Sequence, residues 1–488
     1  MKGQGMDIGR KTDTWGSRLG FIMAAVGSSV GLGNFWRFPY TAGENGGAAF
    51  IIIYIFCVIL FGLPVLMAEY GMGRKSGQSA IEGVQSLARD EGKSENWGIV
   101  AWVGSMAAFF ILTFYMVISA WVIDFIPQAF GGSFSEFGDE AARLTAEAQA
   151  SDPAAEAVTL ADVAASNFGA AISDRGTMLF WLAVFVGVNV FIVARGVKNG
   201  IERAATILMP SFFVLLIGIL IYALTLGDSG KAASFLLTPD FSKVGFETLL
   251  AAIGQAFFSL GVGCCLMVTY GAYLSADTDI PRSSVIVAGA DTMVALVAGF
   301  AIFPIVFAFG ADPAAGPGLF FVSLPIAFGT MPYGDFVGGA FFTLALFAAL
   351  TSSISLMEVG VSWLEERHGV NRPGAAMGVG FVLFMIGAGY VYSADYIDFA
   401  DFMTGNLMLP LGGLLVAIFA GWKLSRATLV SEFGDGRVMA SWRFACRWIV
   451  PPALAFILVF GALDVAQNNG WLSLPSGLLT ILLGANPA

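Results

Sequence analysis

Histidine is nearly absent from this chain: His368 is the only one in 488 residues, and it sits in a basic turn. Histidine-based metal or triad chemistry therefore has no material. Cysteine is almost as scarce. Cys57, Cys264, Cys265 and Cys446 all lie in apolar segments without the spacing of a zinc site. Adjacent Cys264 and Cys265 are poor disulfide partners, so no disulfide framework is indicated. Charge is the third shortage. Asp, Glu, Lys and Arg make up 12% of the chain against about 25% in soluble domains, while 57% of residues are hydrophobic. A soluble globular protein and a nucleic-acid binder are both excluded, and a polytopic all-α membrane protein with the lipid bilayer as its surroundings is expected.

What is present is a series of long apolar runs. About eleven spans, each long enough for a hydrocarbon core of about 30 Å, are centred near residues 28, 59, 112, 185, 213, 259, 296, 350, 383, 409 and 455. A shorter run, Trp471 to Leu483, contains Pro475 and reads as interfacial or re-entrant. The polar start, Met1 to Arg18, feeds directly into the first span, so no cleavable signal peptide is expected. Of the 24 Lys and Arg, Arg37 falls within the first span, and only Arg143, Arg175, Lys231 and Lys243 fall in the loops opposite the N-terminal set. The positive-inside rule then predicts a cytoplasmic N-terminus and, with an odd span count, an outer C-terminus in a bacterial inner membrane. The acidic stretch from Ser133 to Arg175 reads as a solvated outer loop, and Ala311 to Tyr333, rich in Pro and Gly yet apolar, as a re-entrant outer cap.

Two of the spans are interrupted. The first carries Gly31, Gly33, Asn34 and Arg37 where a lipid-facing helix would run unbroken. The sixth carries Ser259-Leu260-Gly261-Val262-Gly263. Unpaired backbone groups cost several kcal/mol in hydrocarbon, so such breaks survive only where they line a cavity or bind something. Intramembrane Asn and Arg point the same way. Two broken helices five spans apart indicate an inverted repeat with its site at the midplane. Unwound carbonyls suit an alkali cation, and the N-terminal ends of the resumed half-helices suit a carboxylate. Oxygens of Asn34, Ser259, Asp291, Thr351 and Ser352 could complete a cation cage. No nucleophile–base pair is present, so a membrane-embedded enzyme is not expected. The residues themselves point to an ion-coupled carrier of a small zwitterion or carboxylate.

Arg18-Leu19-Gly20, Val30-Gly31-Leu32-Gly33-Asn34, Trp36-Arg37-Phe38-Pro39, Glu44-Asn45-Gly46-Gly47 and Gly73-Arg74 resemble the first two helices of the neurotransmitter:sodium symporters. Gly254-Gln255-Ala256-Phe257-Phe258-Ser259-Leu260, Leu350-Thr351-Ser352-Ser353 and Asp401-Phe402 extend the resemblance to helices 6, 8 and 10. It runs from about residue 11 to about 465 and favours the bacterial eleven-span members. It implies the LeuT fold: an inverted 5+5 helix repeat (about 16–226 and about 243–424) plus one additional helix at about 445–465. It also implies a monomer or weak dimer.

Carried over by matching residues, the resemblance implies two sodium sites. The first would use the Ser29 carbonyl, Asn34, Ser259 and the residue at 291, completed by the substrate carboxylate. The second would use carbonyls of Gly27, Val30 and Ala348 and the hydroxyls of Thr351 and Ser352. The carboxylate would meet the N–H groups of Leu32 and Gly33 and the Tyr115 phenol, and the ammonium would meet carbonyls of Ser29, Phe258 and Ser259. Ile111, Tyr115, Phe258, Gly261, Cys264, Ser352 and Leu356 would surround the side chain. Gly261 and Cys264 stand where a bacterial member has serine and phenylalanine, which suggests a hydrophobic or aromatic amino acid, with Met267 or Leu356 able to refill the space. A GABA-, betaine- or taurine-like zwitterion is the alternative. Gly31 stands where monoamine carriers have aspartate, which disfavours monoamines.

Asp291 replaces the family's asparagine, and Ala295 stands where chloride-dependent members have serine. A carboxylate within the cage can supply the compensating charge, so Tyr54, Gln255 and Ser259 need not hold chloride. The resemblance also implies an outer gate pairing Arg37 with Asp401, above Tyr115 and Phe258. It implies an inner gate of Trp15, Tyr273 and Glu366, the basic partner of Glu366 lying at Thr12 or adjacent Arg10 and Lys11. Glu69 and Glu358, buried carboxylates, are expected to bond unwound backbone.

Overall fold

The computed structural model describes residues 14–468 apart from 153–154, 311–312, 314–315, 317 and 394. Its elements are α1 (Arg18–Ser29), α2 (Gly33–Glu44), α3 (Ala48–Ser76), α4 (Ala80–Asp90), α5 (Glu95–Phe130), α6 (Phe137–Ser151), α7 (Leu160–Ser173), α8 (Arg175–Val193), α9 (Val197–Leu226), α10 (Ser229–Leu237), α11 (Phe246–Leu260), α12 (Leu266–Gly271), α13 (Ile280–Ala308), α14 (Leu319–Thr330), α15 (Gly334–His368), α16 (Arg372–Tyr392), α17 (Tyr396–Lys423), α18 (Arg426–Phe433) and α19 (Arg437–Leu463). Among the described residues, nine of these are long and apolar enough to cross a membrane. Counting the bent pair α1/α2 as one passage makes ten, against the eleven expected; the interrupted pair α11/α12, where the sixth was expected, is shorter.

The longest helices, α5 and α15, lie against each other at the centre. Their 36 and 35 residues give each about 50 Å, well beyond the hydrocarbon thickness. They are largely buried, whereas α8, α9, α16 and α19 expose most of their apolar surface and form the lipid-facing rim. Local chemistry sets the ends. Ser17 caps α1 by accepting from the Gly20 N–H, and α15 closes on Gly369 in the left-handed region after Arg367 and His368.

The first interruption is shorter than the sequence pattern suggested, and the second is displaced along the chain. The α1/α2 break is confined to Val30–Leu32, with a 46° bend, and the chain resumes as a π-turn at Gly33. In the sixth passage Ser259 and Leu260 remain helical, so the expected start of that break is displaced. Gly261 adopts φ +62° and caps α11, and the unwound stretch runs on to Cys265. Gly263 has φ +85°, and a Cβ there would lie 2.3 Å from the Leu409 carbonyl oxygen, so glycine is required twice over. Cys265 holds φ +58° without being glycine, a strained position of the kind found at functional sites.

The acidic outer stretch is not a plain solvated loop. It folds into α6 and α7, and α7 begins with a capping box between Thr159 and Asp162. Phe168 of α7 stacks on Phe321 of α14 with ring centroids 5.0 Å apart, and also meets Trp121 of α5. Phe320 and Phe321 in turn pack on Phe342 of α15. The hairpin and the expected cap therefore form one apolar roof. The run from Trp471 to Leu483 lies outside the described residues.

Candidate functional site

The two breaks meet beside α13 and α15, where two groups of oxygens and a small cavity come together. In the first group Asn34, Ser259 and Asp291 form a closed hydrogen-bonded ring. The Asn34 amide donates to Asp291 Oδ1 (2.9 Å), the Asp291 carbonyl (3.2 Å) and Ser259 Oγ (3.2 Å). Asn34 Oδ1 accepts from the Gly31 N–H (3.0 Å), tying the side chain to the unwound backbone. Ser259 Oγ donates to Asp291 Oδ2 (2.7 Å), and Tyr54 Oη lies 3.5 Å from both. Ser29 Oγ reaches the Leu260 carbonyl at 3.3 Å. All are buried. Among the described residues no three His, Cys, Asp or Glu side chains converge, so this is a set of hard neutral oxygens around one carboxylate. That composition suits an alkali cation and not a transition metal.

In the second group Ser352 Oγ donates to the carbonyls of Ser28 (3.0 Å) and Gly27 (3.4 Å). Thr351 Oγ1 bonds back to Phe347 and Ala348 of its own helix (3.0 and 3.1 Å). A Cβ at Gly27 would come within 3.2 Å of Thr351 Cβ, so Gly27 lets α1 approach α15. The Val30 N–H donates to the Val26 carbonyl. Gly27, Ala348, Thr351 and Ser352 are thus brought together at the α1 break.

The cavity, about 40 Å³, has room for about three waters, so an amino acid enters only if its walls move apart. Ser29, Gly33, Ile111, Tyr115, Phe258, Gly261, Cys264, Ser352 and Leu356 line it as expected. Leu32 and Ser259 do not. The Leu32 N–H donates to Tyr115 Oη (3.1 Å), and Ser259 belongs to the oxygen ring. A Cβ on Gly31 would collide with Ser352 Oγ (2.6 Å) and Tyr115 Oη (2.9 Å), so no acidic side chain fits there. Ser28, Leu266 and Leu409 also line the cavity, and sequence reasoning missed them. Met267 is buried but does not line it.

The gates differ from expectation at the outer end. Arg37 and Asp401 form no ion pair. Arg37 instead lies over the Phe258 ring at 4.6 Å, and its Nη1 and Asp401 Oδ1 are both buried without hydrogen-bond partners. Gly405 makes this possible: a Cβ there would sit 2.9 Å from Arg37 Nη2. The inner end is sealed. Trp15 Nε1 donates to the Tyr270 carbonyl (3.2 Å), its N–H to the Tyr273 carbonyl (3.3 Å), and its ring meets those of Tyr270, Tyr273 and Phe21. Glu366 accepts from the Ser79 N–H (2.5 Å), and the residues expected as its basic partner lie outside the described residues. Glu202, which sequence reasoning missed, fastens the chain entering α1 by accepting from Gly16 N–H (2.6 Å) and Ser17 Oγ (3.0 Å).

Glu69 bonds unwound backbone as expected, accepting from the N–H groups of Gly263 (2.7 Å) and Met267 (3.2 Å). Glu358 does not. It pairs with Arg372 (2.5 Å) and accepts from the Tyr273 phenol, because α12 turns that phenol toward α15. Gln255 donates to the Gly33 carbonyl (3.0 Å), so of Tyr54, Gln255 and Ser259 only Tyr54 and Ser259 lie beside Asp291.

Broken helices meeting at an oxygen-lined cavity inside a helical bundle define a secondary transporter. The sequence profile of the Sodium:neurotransmitter symporter family matches residues 12–471, and the chain belongs to that family. It is 35% identical over 467 residues to the uncharacterized sodium-dependent transporter YhdH of Bacillus subtilis, covering 92% of this chain and 97% of that one. A sodium-dependent nutrient amino acid transporter 1 of Drosophila grimshawi is 26% identical over 487 residues, covering 91% and 76%. The crystal structure of MhsT in complex with L-phenylalanine superposes with a TM-score of 0.81 at 37% identity, over 92% of this chain and 99% of that one. The fold is the LeuT fold, and the chain is a multi-pass, sodium-dependent membrane transporter.

Proposed function

We propose that this protein imports a hydrophobic or aromatic amino acid together with two sodium ions by alternating access, without chloride. The observation that carries the reading is the ring of Asn34, Ser259 and Asp291 where the two broken helices meet. A sodium ion entering that ring gains a fixed carboxylate, and the substrate carboxylate would complete its shell. The Ser352 and Thr351 hydroxyls, with carbonyls of Gly27, Val30 and Ala348, form the second site. The cavity between Ile111, Tyr115, Phe258, Gly261, Cys264, Leu266, Leu356 and Leu409 receives the side chain. Its apolar walls favour a side chain without charge. The phenylalanine bound to MhsT supports an aromatic substrate. Arg37, Phe258 and Asp401 form the outer gate, and Trp15, Tyr273 and Glu366 the inner one. The N-terminus lies in the cytoplasm, on the side rich in Lys and Arg.

A thermal-shift screen of all twenty amino acids, a betaine and a γ-amino acid, with sodium and with potassium, tests this, because a ligand at 100 times its Kd stabilises by about 2.7 kcal/mol. Stabilisation by apolar or aromatic amino acids in sodium alone is expected. Stabilisation by a betaine or a γ-amino acid, with none by α-amino acids, would overturn the substrate class.

A further inference from the structure

The corner where α17, α18 and α19 meet holds more positive charge than its carboxylates balance. Lys423 ends α17, Arg426 opens α18, and Arg437, Arg443 and Arg447 lie in the first part of α19. The acidic side chains nearby are already engaged: Glu432 pairs with Arg74 (2.7 Å), and Asp435 with Arg426 (2.9 Å) in an exposed bridge. Arg443 and Arg447 form no ion pair among the described residues. They stand four residues apart on one face of α19, where like charges repel, and Arg443 also meets the charge of Arg426. Arg443 Nε is buried without a hydrogen-bond partner. Arg447 is held in place, its Nε donating to the Gly421 carbonyl at 2.5 Å. A Cβ on Gly421 would come within 3.2 Å of Arg447 Cγ, so glycine lets this side chain lie against the end of α17. The start of α19 is anchored as well. Trp442 Nε1 donates to the Pro64 carbonyl of α3 at 2.8 Å, and its ring packs on Phe433 with centroids 4.6 Å apart. The two guanidiniums therefore stay together despite their repulsion.

Their depth says what relieves it. As a helix, the stretch from Phe444 to Leu463 is about 30 Å long, the thickness of the hydrocarbon, so Arg443 and Arg447 sit at its edge. Beside them Phe444, Trp448 and Trp422 are exposed, the two indoles edge-on at 6.1 Å. Cations at headgroup depth flanked by exposed aromatics match both parts of a phospholipid, its phosphate and its acyl chains. A soluble anion would use the guanidiniums alone. Sorting of positive charge to one side of the membrane accounts for the number of cations at this end. It does not account for their gathering on one face with a buried donor left open.

We propose that the Arg443 and Arg447 face of α19 binds the phosphodiester of an anionic phospholipid, whose acyl chains lie along Phe444 and Trp448. The bound phosphate offsets the repulsion between the two guanidiniums. Because Arg447 also holds the end of α17, the lipid fastens α19 to the rest of the bundle.

The test offers the full chain, purified in neutral detergent, phosphatidylglycerol and phosphatidylcholine of the same chain length. Retention is read by native mass spectrometry and stability by thermal shift. One cation near an anionic headgroup is worth about fivefold in affinity, so the parent should retain phosphatidylglycerol about fivefold or more over phosphatidylcholine. Arg443→Gln breaks no hydrogen bond of the described residues and should lower that preference about fivefold. It should also lower Tm in phosphatidylglycerol yet raise it in phosphatidylcholine, where only the repulsion is lost. Lys93→Gln with Arg282→Gln removes two exposed charges elsewhere on the Lys- and Arg-rich side and should leave the preference unchanged. A parent without preference, or an Arg443→Gln protein that keeps the parent's, would overturn the proposal. A Tm lowered equally in both lipids would leave Arg443 a packing residue and overturn it too. The same loss of preference in the Lys93 and Arg282 variant would reduce the site to general attraction by net charge. Inorganic phosphate that stabilises the parent as much as phosphatidylglycerol does would assign the guanidiniums to a soluble anion and overturn the lipid.

Discussion

The two oxygen groups, both built where α1 breaks, differ in kind. The first is charged and internally satisfied: Asp291, Asn34 and Ser259 bond one another, so a cation must displace those bonds to enter. The second is neutral and half-satisfied: Ser352 already reaches carbonyls of α1, while Thr351 rests on its own helix. The contrast assigns different work to each. On the proposed reading, a buried carboxylate, costly unless paired, would let the first group supply its own compensating charge. The second would provide geometry and no charge. Charge balance should therefore be set at the first site.

The sharpest way to break the contrast is at the neutral site. Thr351→Ala with Ser352→Ala removes both hydroxyls, and sodium-driven uptake should fall to background while the protein still inserts into the membrane as before. Retained sodium dependence would remove that site from the account. Asp291→Asn should come next, lowering uptake about 100-fold in chloride-free medium, as expected when about 3 kcal/mol of buried charge pairing is lost. Combined with Ala295→Ser, one turn along α13, it should make uptake rise with added chloride. No response to chloride in the double variant would argue that Asp291 serves only the hydrogen-bonded ring.

Away from the ions the effects are smaller and separate rate from affinity. Asp401→Asn should slow transport about tenfold while changing equilibrium substrate binding less than threefold, since Asp401 does not line the cavity and belongs to the proposed gate. Equal losses in both would mean that Asp401 touches the substrate. Glu69→Gln should cost about 1.5–3 kcal/mol of stability, read as a lower Tm, because an amide cannot accept from both Gly263 and Met267 as a carboxylate does.

Much of this was legible in the sequence because the membrane makes polarity expensive. Gly31, Asn34 and Arg37 within an apolar run announced the first break, and Asp291 announced its own importance by being charged in a helix of otherwise apolar and small residues. The three adjacent hydroxyls at Thr351–Ser353 were visible as a group, but not that they serve different neighbours, because helical direction depends on what packs on each face. Leu266 and Leu409 were missed because an apolar residue lining a cavity resembles one facing lipid. Glu202 lay in a stretch rich in Lys and Arg and carried no sign that the start of α1 would be fastened to it. The outer hairpin was misread for a related reason: its acidic residues mark the solvent face, while the apolar residues that dock it, Phe137, Val163 and Phe168 among them, are spread among the polar ones. Arg37 and Asp401 make no direct contact here, and the guanidinium lies over the Phe258 ring instead, a placement that spacing in the sequence does not reveal.

The central claim is that Asp291 supplies, from within the sodium cage, the negative charge that a mobile anion would otherwise bring. Uptake of a stabilising amino acid into proteoliposomes under an inward sodium gradient, with chloride on both sides replaced by gluconate, measures this directly. The account predicts the same initial rate in both media and no uptake when potassium replaces sodium. A rate that collapses in gluconate and returns with chloride would contradict it.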